Sequence, residues 1–124
     1  MNPNPPVFVI DDEEPVRVSL AKLLRAMGFP SRTFASAASF LSSDAMHEDG
    51  CLLLDLRMPG MSGVDLVEEL HRRQVAVPVI VMTGHTDMES VQRLDAFPLI
   101  GFLEKPFSAA QLKEMLDRWR ASSA

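Results

Sequence analysis

The sequence predicts a single doubly wound α/β domain, in which five parallel strands form one sheet with helices on both faces. Short apolar runs alternate with stretches whose apolar residues recur at helical spacing, which is typical of βαβ units. A chain of 124 residues is long enough to bury one sizeable core. Acidic residues end two of the apolar runs, and open α/β sheets bind ligands at the carboxyl ends of their strands.

Five apolar runs are the candidate strands. Those that are continuous rather than alternating are typical of strands that a parallel sheet buries on both faces. The runs cover residues 7–10, 29–34, 51–54, 79–82 and 99–103. Turn-forming residues bound several of them, which favours short strands over buried helices.

Helical spacing and capping residues mark the segments between the runs. Apolar residues recur every three or four positions from Val16 to Met27, which indicates the first helix. Hydroxyl-bearing residues stand where the later helices would begin, and two of them start the pattern of a capping box. The boundary residues are Pro15 and Gly28 for the first helix, and then Ser36, Ser62, Thr86 and Ser108 for the second to the fifth.

Composition and charge exclude several classes of function. The net charge of −5 argues against direct binding of nucleic acid by this chain. One cysteine, Cys51, permits neither an internal disulfide nor a cysteine zinc cluster, and we expect it to be a small buried residue. No apolar stretch approaches the roughly 20 residues that span a bilayer, and the amino terminus is unlike a signal peptide. A cytoplasmic protein without membrane contact is expected.

Polar residues follow four of the five runs. Asp11 and Asp12 follow the first, Asp55 the third, Thr83 the fourth and Lys105 the fifth. Because the carboxyl ends of parallel strands meet at one edge of the sheet, we expect these side chains to converge there. Three neighbouring carboxylates repel one another, and a bound cation such as Mg²⁺ relieves that repulsion.

A carboxylate at this edge can also act as a nucleophile towards phosphorus and form an aspartyl phosphate. Mg²⁺ and a fixed ammonium group would then compensate the charge on the phosphoryl oxygens. Each residue alone has a simpler structural explanation: an Asp pair can cap a helix, a Thr or Lys can belong to a loop, and Phe102 can be a core residue of the last strand. The combination, in this order, is much more specific than any member.

Four stretches around these residues resemble the receiver domain of bacterial response regulators. They are VIDDE at 9–13, LDLRMPGMSG at 54–63, MTGH at 82–85 and FLEKPF at 102–107. DEEPVR at 12–17 is similar to the FixJ-like subgroup. The resemblance spans nearly the whole chain and implies one receiver domain over residues 1–124. It also implies a flavodoxin-like (βα)5 fold with the sheet order 2-1-3-4-5.

The resemblance implies a role for each acidic residue. Asp55 would accept a phosphoryl group from a phosphohistidine of a sensor histidine kinase. Asp12, Asp55 and the backbone carbonyl of Arg57 would bind Mg²⁺, or Mn²⁺ in its place. Asp11 would act on the metal through a bound water molecule.

The resemblance also implies how phosphorylation is sensed. Thr83 and Lys105 would contact the phosphoryl oxygens. Phe102 would be an aromatic switch residue that turns inward as Thr83 moves, a role that competes with plain core packing. The peptide bond between Lys105 and Pro106 would be cis, a state that is found almost exclusively before proline.

One segment departs from the family pattern. Before the last strand, where an alanine- and glycine-containing turn is usual, the chain has AFPLIG at 96–101. Pro98 disfavours helical geometry at the residue before it, so the fourth helix should end at or before Phe97. Leu99 and Phe97 would either fill the core or form an apolar, partner-facing patch, and the patch is favoured.

The implied function is a phosphorylation-controlled switch in two-component signalling, and not an enzyme acting on an external substrate. The switch would act through a homodimer or a downstream output domain, such as a DNA-binding domain that controls transcription. One competing interpretation is a receiver-like domain that binds partners without phosphorylation, but all five key residues are present. Another is a metal-dependent phosphatase, for which 124 residues leave no room for a substrate-enclosing cap.

Overall fold

One parallel sheet of five strands lies at the centre of the computed structural model, which describes residues 4–84 and 88–122. The strands are Val7–Ile10 (β1), Ser31–Phe34 (β2), Cys51–Asp55 (β3), Val79–Thr83 (β4) and Gly101–Glu104 (β5). Their order is β2-β1-β3-β4-β5, and every neighbouring pair is parallel. The doubly wound fold and the sheet order that the resemblance implied are both confirmed.

The three inner strands β1, β3 and β4 are buried at every residue, whereas β2 and β5 are edge strands with partly exposed residues. Both edge strands are shorter than the predicted runs. Phe29 and Pro30 belong to the connection before β2, where the Pro30 carbonyl accepts a hydrogen bond from Val7 at 2.9 Å. Leu99 and Ile100 likewise precede β5.

Within the described ranges, five helices connect or follow the strands. They are Glu14–Ala26 (α1), Ala37–Leu41 (α2), Gly63–Arg72 (α3), Met88–Leu94 (α4) and Ala109–Ser122 (α5), with a short 3-10 helix at Asp44–His47. Together with the sheet they give the helix-on-both-faces arrangement predicted from the alternation of patterns.

Most predicted helix boundaries are present. Gly28 follows α1 with a φ of 85°, a left-handed conformation that glycine adopts without steric cost. Ser36 and Ser62 each accept a hydrogen bond from a backbone N–H three residues on, and Ser108 does the same at the start of α5. The predicted cap Thr86 lies outside the described residues.

Two apolar layers cover the sheet because successive side chains of a strand point to opposite faces. On one face, Ile10, Leu54 and Val81 pack against α2, α3 and α4. On the other, the alternate strand residues pack against α1 and α5, whose buried residues include Leu24 and Trp119. The inner strands therefore need apolar residues at every position, and their carboxyl ends are held between both layers.

The connection from α4 to β5 is apolar. Helix α4 ends at Leu94, which confirms an end before Phe97. The Phe97 ring meets the His71 ring edge-on at 5.2 Å, and both Phe97 and Leu99 are partly buried against the α3 side of the core. Core packing thus describes these side chains better than an exposed patch. They line a groove of about 920 Å³ that α5 also borders through Arg118.

Candidate functional site

The strand register brings the predicted site residues to one edge of the sheet. Ile10 lies opposite Leu54, so Asp11 and Asp55 follow on neighbouring strands. Asp55 in turn lies opposite Met82, and Thr83 lies opposite Glu104, the residue before Lys105. All of these strands run in one direction, so the side chains that follow them meet at the carboxyl edge.

Three carboxylates form a compact acidic cluster at this edge. One oxygen each from Asp11, Asp12 and Asp55 lies within 4.8 Å of the others. Asp11 and Asp55 are buried and Asp12 is exposed, so the cluster opens to solvent on the Asp12 side.

The cluster fits a hard divalent cation, because carboxylate oxygens are the ligands that Mg²⁺ prefers. Oxygens bound to one Mg²⁺ at about 2.1 Å lie at most about 4.2 Å apart. A cluster that spans up to 4.8 Å leaves room for one carboxylate to act through a water molecule. The donor set therefore suits Mg²⁺.

The ammonium group of Lys105 joins two of the three carboxylates. Its Nζ lies 3.2 Å from Oδ2 of Asp11 and 3.4 Å from Oδ2 of Asp55. Burial alone would lower the pKa of Lys105, but the charges of Asp55 and Asp11 outweigh burial and raise it. Lys105 therefore carries a fixed positive charge beside Asp55.

Asp55 is a carboxylate under opposing influences. Burial raises the pKa of Asp55 above its usual value, and the Asp11 charge acts in the same direction, while the Lys105 charge opposes both. The Arg57 backbone N–H also donates to Oδ1 of Asp55, at 3.3 Å, and stabilises the ionised form. The side chain is 10% exposed, which leaves a narrow approach from solvent.

Backbone contacts hold the loops that carry these residues. The Leu56 N–H donates to the Met82 carbonyl at 3.3 Å, and the Lys105 N–H donates to the Thr83 carbonyl at 2.7 Å. The bond between Lys105 and Pro106 is cis. Thr83 is buried at the end of β4, so its hydroxyl lies at the edge that Asp55 occupies.

Phe102 lies on β5 with 37% of its surface exposed. Phe102 pairs in register with Val81 of β4, so the two side chains lie on the same face of the sheet. Thr83 follows Val81 by two residues and therefore also lies on that face. That face is the one α4 covers, since Val81 packs in the layer with Leu94.

Three contacts at the site were not expected from the sequence. The Glu13 N–H donates to Oδ1 of Asp11 at 2.9 Å, and Arg17 donates to the Asp11 carbonyl at 2.8 Å. Gly63 lies against the backbone of Asp55 and donates its N–H to the Leu56 carbonyl at 3.0 Å. A glycine at the first helical position, directly after the cap, is the sequence signal that points to Gly63.

The chain belongs to the response regulator receiver domain family, whose model matches residues 7–117. Domains of this family serve two-component signalling, with phosphorylation and Mg²⁺ binding as general features, and they signal rather than catalyse. The transcriptional regulatory protein FixJ of Azorhizobium caulinodans is 44% identical over 107 residues, which cover 86% of this chain and 51% of that protein. FixJ of Rhizobium meliloti is 40% identical, with 90% and 55% covered. The chain spans about half the length of these relatives.

Solved structures agree with this membership. The crystal structure of FixJ-N has a TM-score of 0.85 at 39% identity, covering 95% of this chain and 94% of that one. A CheY-like receiver domain from Methanospirillum hungatei has a TM-score of 0.80 at 21% identity, covering 98% and 99%, and supports the fold. Among the described residues, the helices lack the length and apolar character needed to cross a membrane.

Proposed function

We propose that residues 1–124 form one receiver domain in which Asp55 accepts a phosphoryl group from the phosphohistidine of a sensor histidine kinase. The observation that carries this proposal is the meeting of Asp55 with a lysine ammonium at 3.4 Å and two further carboxylates at one strand edge. A nucleophile, a metal-binding group and a phosphoryl-binding cation are then together.

In the proposed step, an Oδ atom of Asp55 attacks phosphorus. A new O–P bond forms while the P–N bond to the histidine breaks, and its electron pair returns to the imidazole nitrogen. The product is an acyl phosphate on Asp55 and a free histidine on the kinase. The chain completes this transfer on itself and returns to its starting state by hydrolysis, so it is no enzyme for an external substrate.

The other carboxylates and the Arg57 carbonyl have supporting roles. Asp12, Asp55 and the Arg57 carbonyl would hold Mg²⁺ or Mn²⁺, with Asp11 acting through water. When bound, the cation neutralises charge on the phosphoryl oxygens. Lys105 keeps its charge beside Asp55, which lets it hold one phosphoryl oxygen after transfer.

Thr83 and Phe102 would convert the chemistry into a signal. Phosphorylation adds about −1.5 to −2 charges and strong acceptors at Asp55. The Thr83 hydroxyl would donate to a phosphoryl oxygen, and Phe102, which shares its face of the sheet, would turn inward behind it. The 37% exposure of Phe102 supports this role, because an exposed side chain can still move to a more buried position.

The output of the switch is proposed from the relatives, which are named transcriptional regulators and of whose length this chain spans about half. The changed face would drive a homodimer or contact a DNA-binding output domain outside this chain. Direct contact of this chain with nucleic acid is not proposed, since its net charge is −5.

Intact-mass analysis tests the proposal. Acetyl phosphate with Mg²⁺ should add one phosphoryl mass, and base should remove it. Asp55→Asn should accept none, while Asp49→Asn, an exposed aspartate away from the site, should behave as the unmodified protein does. Equal phosphorylation of Asp55→Asn would overturn the assignment.

A further inference from the structure

The first turn of α3 lies unusually close to the backbone that carries Asp55. A Cβ atom placed on Gly63 would stand 2.5 Å from the Asp55 carbonyl oxygen and 2.8 Å from the Leu56 Cα. Real Cβ atoms essentially never approach other atoms below 3.0 Å. Both obstructing atoms belong to the backbone, so no side-chain rotation can relieve the contact.

Space, and not backbone conformation, requires glycine here. Gly28 and Gly60 have positive φ values of 85° and 76°, with open space where a Cβ would stand. Gly63 has no positive φ and begins a regular helix. Gly101 differs again, since its obstructing atoms are the flexible end of Met115.

We infer that Gly63 is a positioning residue for Asp55, because its missing side chain lets α3 rest directly on the turn that holds the phosphoacceptor. This inference rests on the proposed role of Asp55. Two other hydrogen bonds of this turn, from the Leu56 N–H to the Met82 carbonyl and from the Arg57 N–H to Asp55, are both 3.3 Å long. The hydrogen bond from the Gly63 N–H to the Leu56 carbonyl is shorter than both, at 3.0 Å.

Helix α3 is not free to move away from this contact. Helix α3 buries Val64, Leu66, Val67 and Leu70 in the core, and the reciprocal bonds between Ser62 and Asp65 fix its start. A methyl group at Gly63 therefore pushes on Asp55 and Leu56. Ordinary contact begins at 3.4 Å, so the carbonyl must move by about 1 Å, a displacement that can cost about 100-fold in rate at a reacting group.

Gly63→Ala tests the inference, and Gly50→Ala is its matched control. A Cβ on Gly50 would meet the Phe8 ring at 2.4 Å and the Pro6 carbonyl at 2.7 Å. Gly50 precedes β3 at its amino end, opposite the edge that carries the acidic cluster. Urea unfolding should show that both variants are less stable. Only Gly63→Ala should lose rate, by 10- to 100-fold, when acetyl phosphate phosphorylates the folded protein at saturating Mg²⁺.

Two outcomes overturn the inference. One is a rate for folded Gly63→Ala within twofold of the unmodified protein; the other is an equal loss in Gly50→Ala. If Gly63→Ala does not fold, the backbone amide chemical shifts of the unmodified protein, measured by NMR, test the inference instead. The Gly63 amide should shift with Mg²⁺ and again with phosphodonor while Gly50 stays unchanged, and a silent Gly63 amide overturns the inference. An unmodified protein that accepts no phosphoryl group refutes the proposed function instead.

Discussion

Lys105 donates a hydrogen bond to Asp11 across 94 residues of sequence, at 3.2 Å. The same ammonium lies 3.4 Å from Asp55, so one cation separates two buried carboxylates. Without it, the backbone N–H donors of Glu13 and Arg57, solvent and a bound metal would have to offset their mutual repulsion. The stability of the metal-free domain therefore depends on Lys105.

Replacing Lys105 with alanine should lower the free energy of unfolding in EDTA by about 2 kcal/mol, the scale of a lost hydrogen bond between charged groups. Mg²⁺ should restore much of the loss and bind more tightly, because the competing ammonium is gone. Lys113→Ala is the control, since its pair with Asp117 is exposed and worth under about 0.5 kcal/mol. Equal urea midpoints for the two variants in EDTA would contradict the role of Lys105.

Removing Asp12 should abolish most of the stabilisation by Mg²⁺. A ligand that binds only the folded state adds about 2.7 kcal/mol at 100 times its dissociation constant. Asp12→Ala should lose that gain and be slightly more stable than the unmodified protein in EDTA, because one of three like charges is gone. Thermal melts with and without Mg²⁺ measure both effects. If Mg²⁺ does not change the melting temperature of the unmodified protein, the proposed metal site is wrong.

The cap of α3 should make stability depend on pH. Donation from the Ser62 N–H holds the pKa of Asp65 below its usual value, and Arg93 acts in the same direction. The ionised form is favoured by folding, so its contribution is present above the unfolded pKa and disappears as pH falls through the folded one. Asp65→Asn should be less stable by about 0.5 kcal/mol at pH 7, and the difference should vanish in acid. A difference that is constant from pH 7 to pH 2.5 would exclude the carboxylate as its cause.

Phe97 should contribute to stability and not to phosphorylation. Its ring packs on His71 and the α3 side of the core, so Phe97→Ala should cost about 2 kcal/mol, less than a fully buried phenylalanine. Phe102→Ala, which removes a more exposed ring, should cost less than about 1 kcal/mol. Both should accept a phosphoryl group by intact mass. If Phe97→Ala is as stable as the unmodified protein but no longer associates after phosphorylation, the partner-facing patch is the correct interpretation instead.

The strand pattern made most of the site predictable. Val9, Leu53 and Leu103 point into the same apolar layer. Asp11, Asp55 and Lys105 each follow one of them by two residues, and strand alternation carries them to the same side. Local sequence thus predicts which residues converge once the sheet order is known.

Other parts of the site depend on contacts that no local pattern encodes. The hydrogen bond from Arg17 to the Asp11 carbonyl and the approach of Gly63 to Asp55 result from how α1 and α3 pack on the sheet. The position of Phe97 could not be predicted from local sequence either, because exposed and buried apolar residues look alike in a sequence. The contacts of Phe97 with His71 of α3 and with the core decide between them.

The groove beside Phe97 bears on how small-molecule screens against this domain are read. It lies at the amino end of β4, about 16 Å of strand away from the carboxyl edge, and its volume of about 920 Å³ is in the range that drug-sized compounds occupy. A fragment bound in this groove would not contact the acidic cluster at the carboxyl edge. Hits in the groove should persist at saturating Mg²⁺, so a competition step with the metal separates them from compounds that reach Asp55.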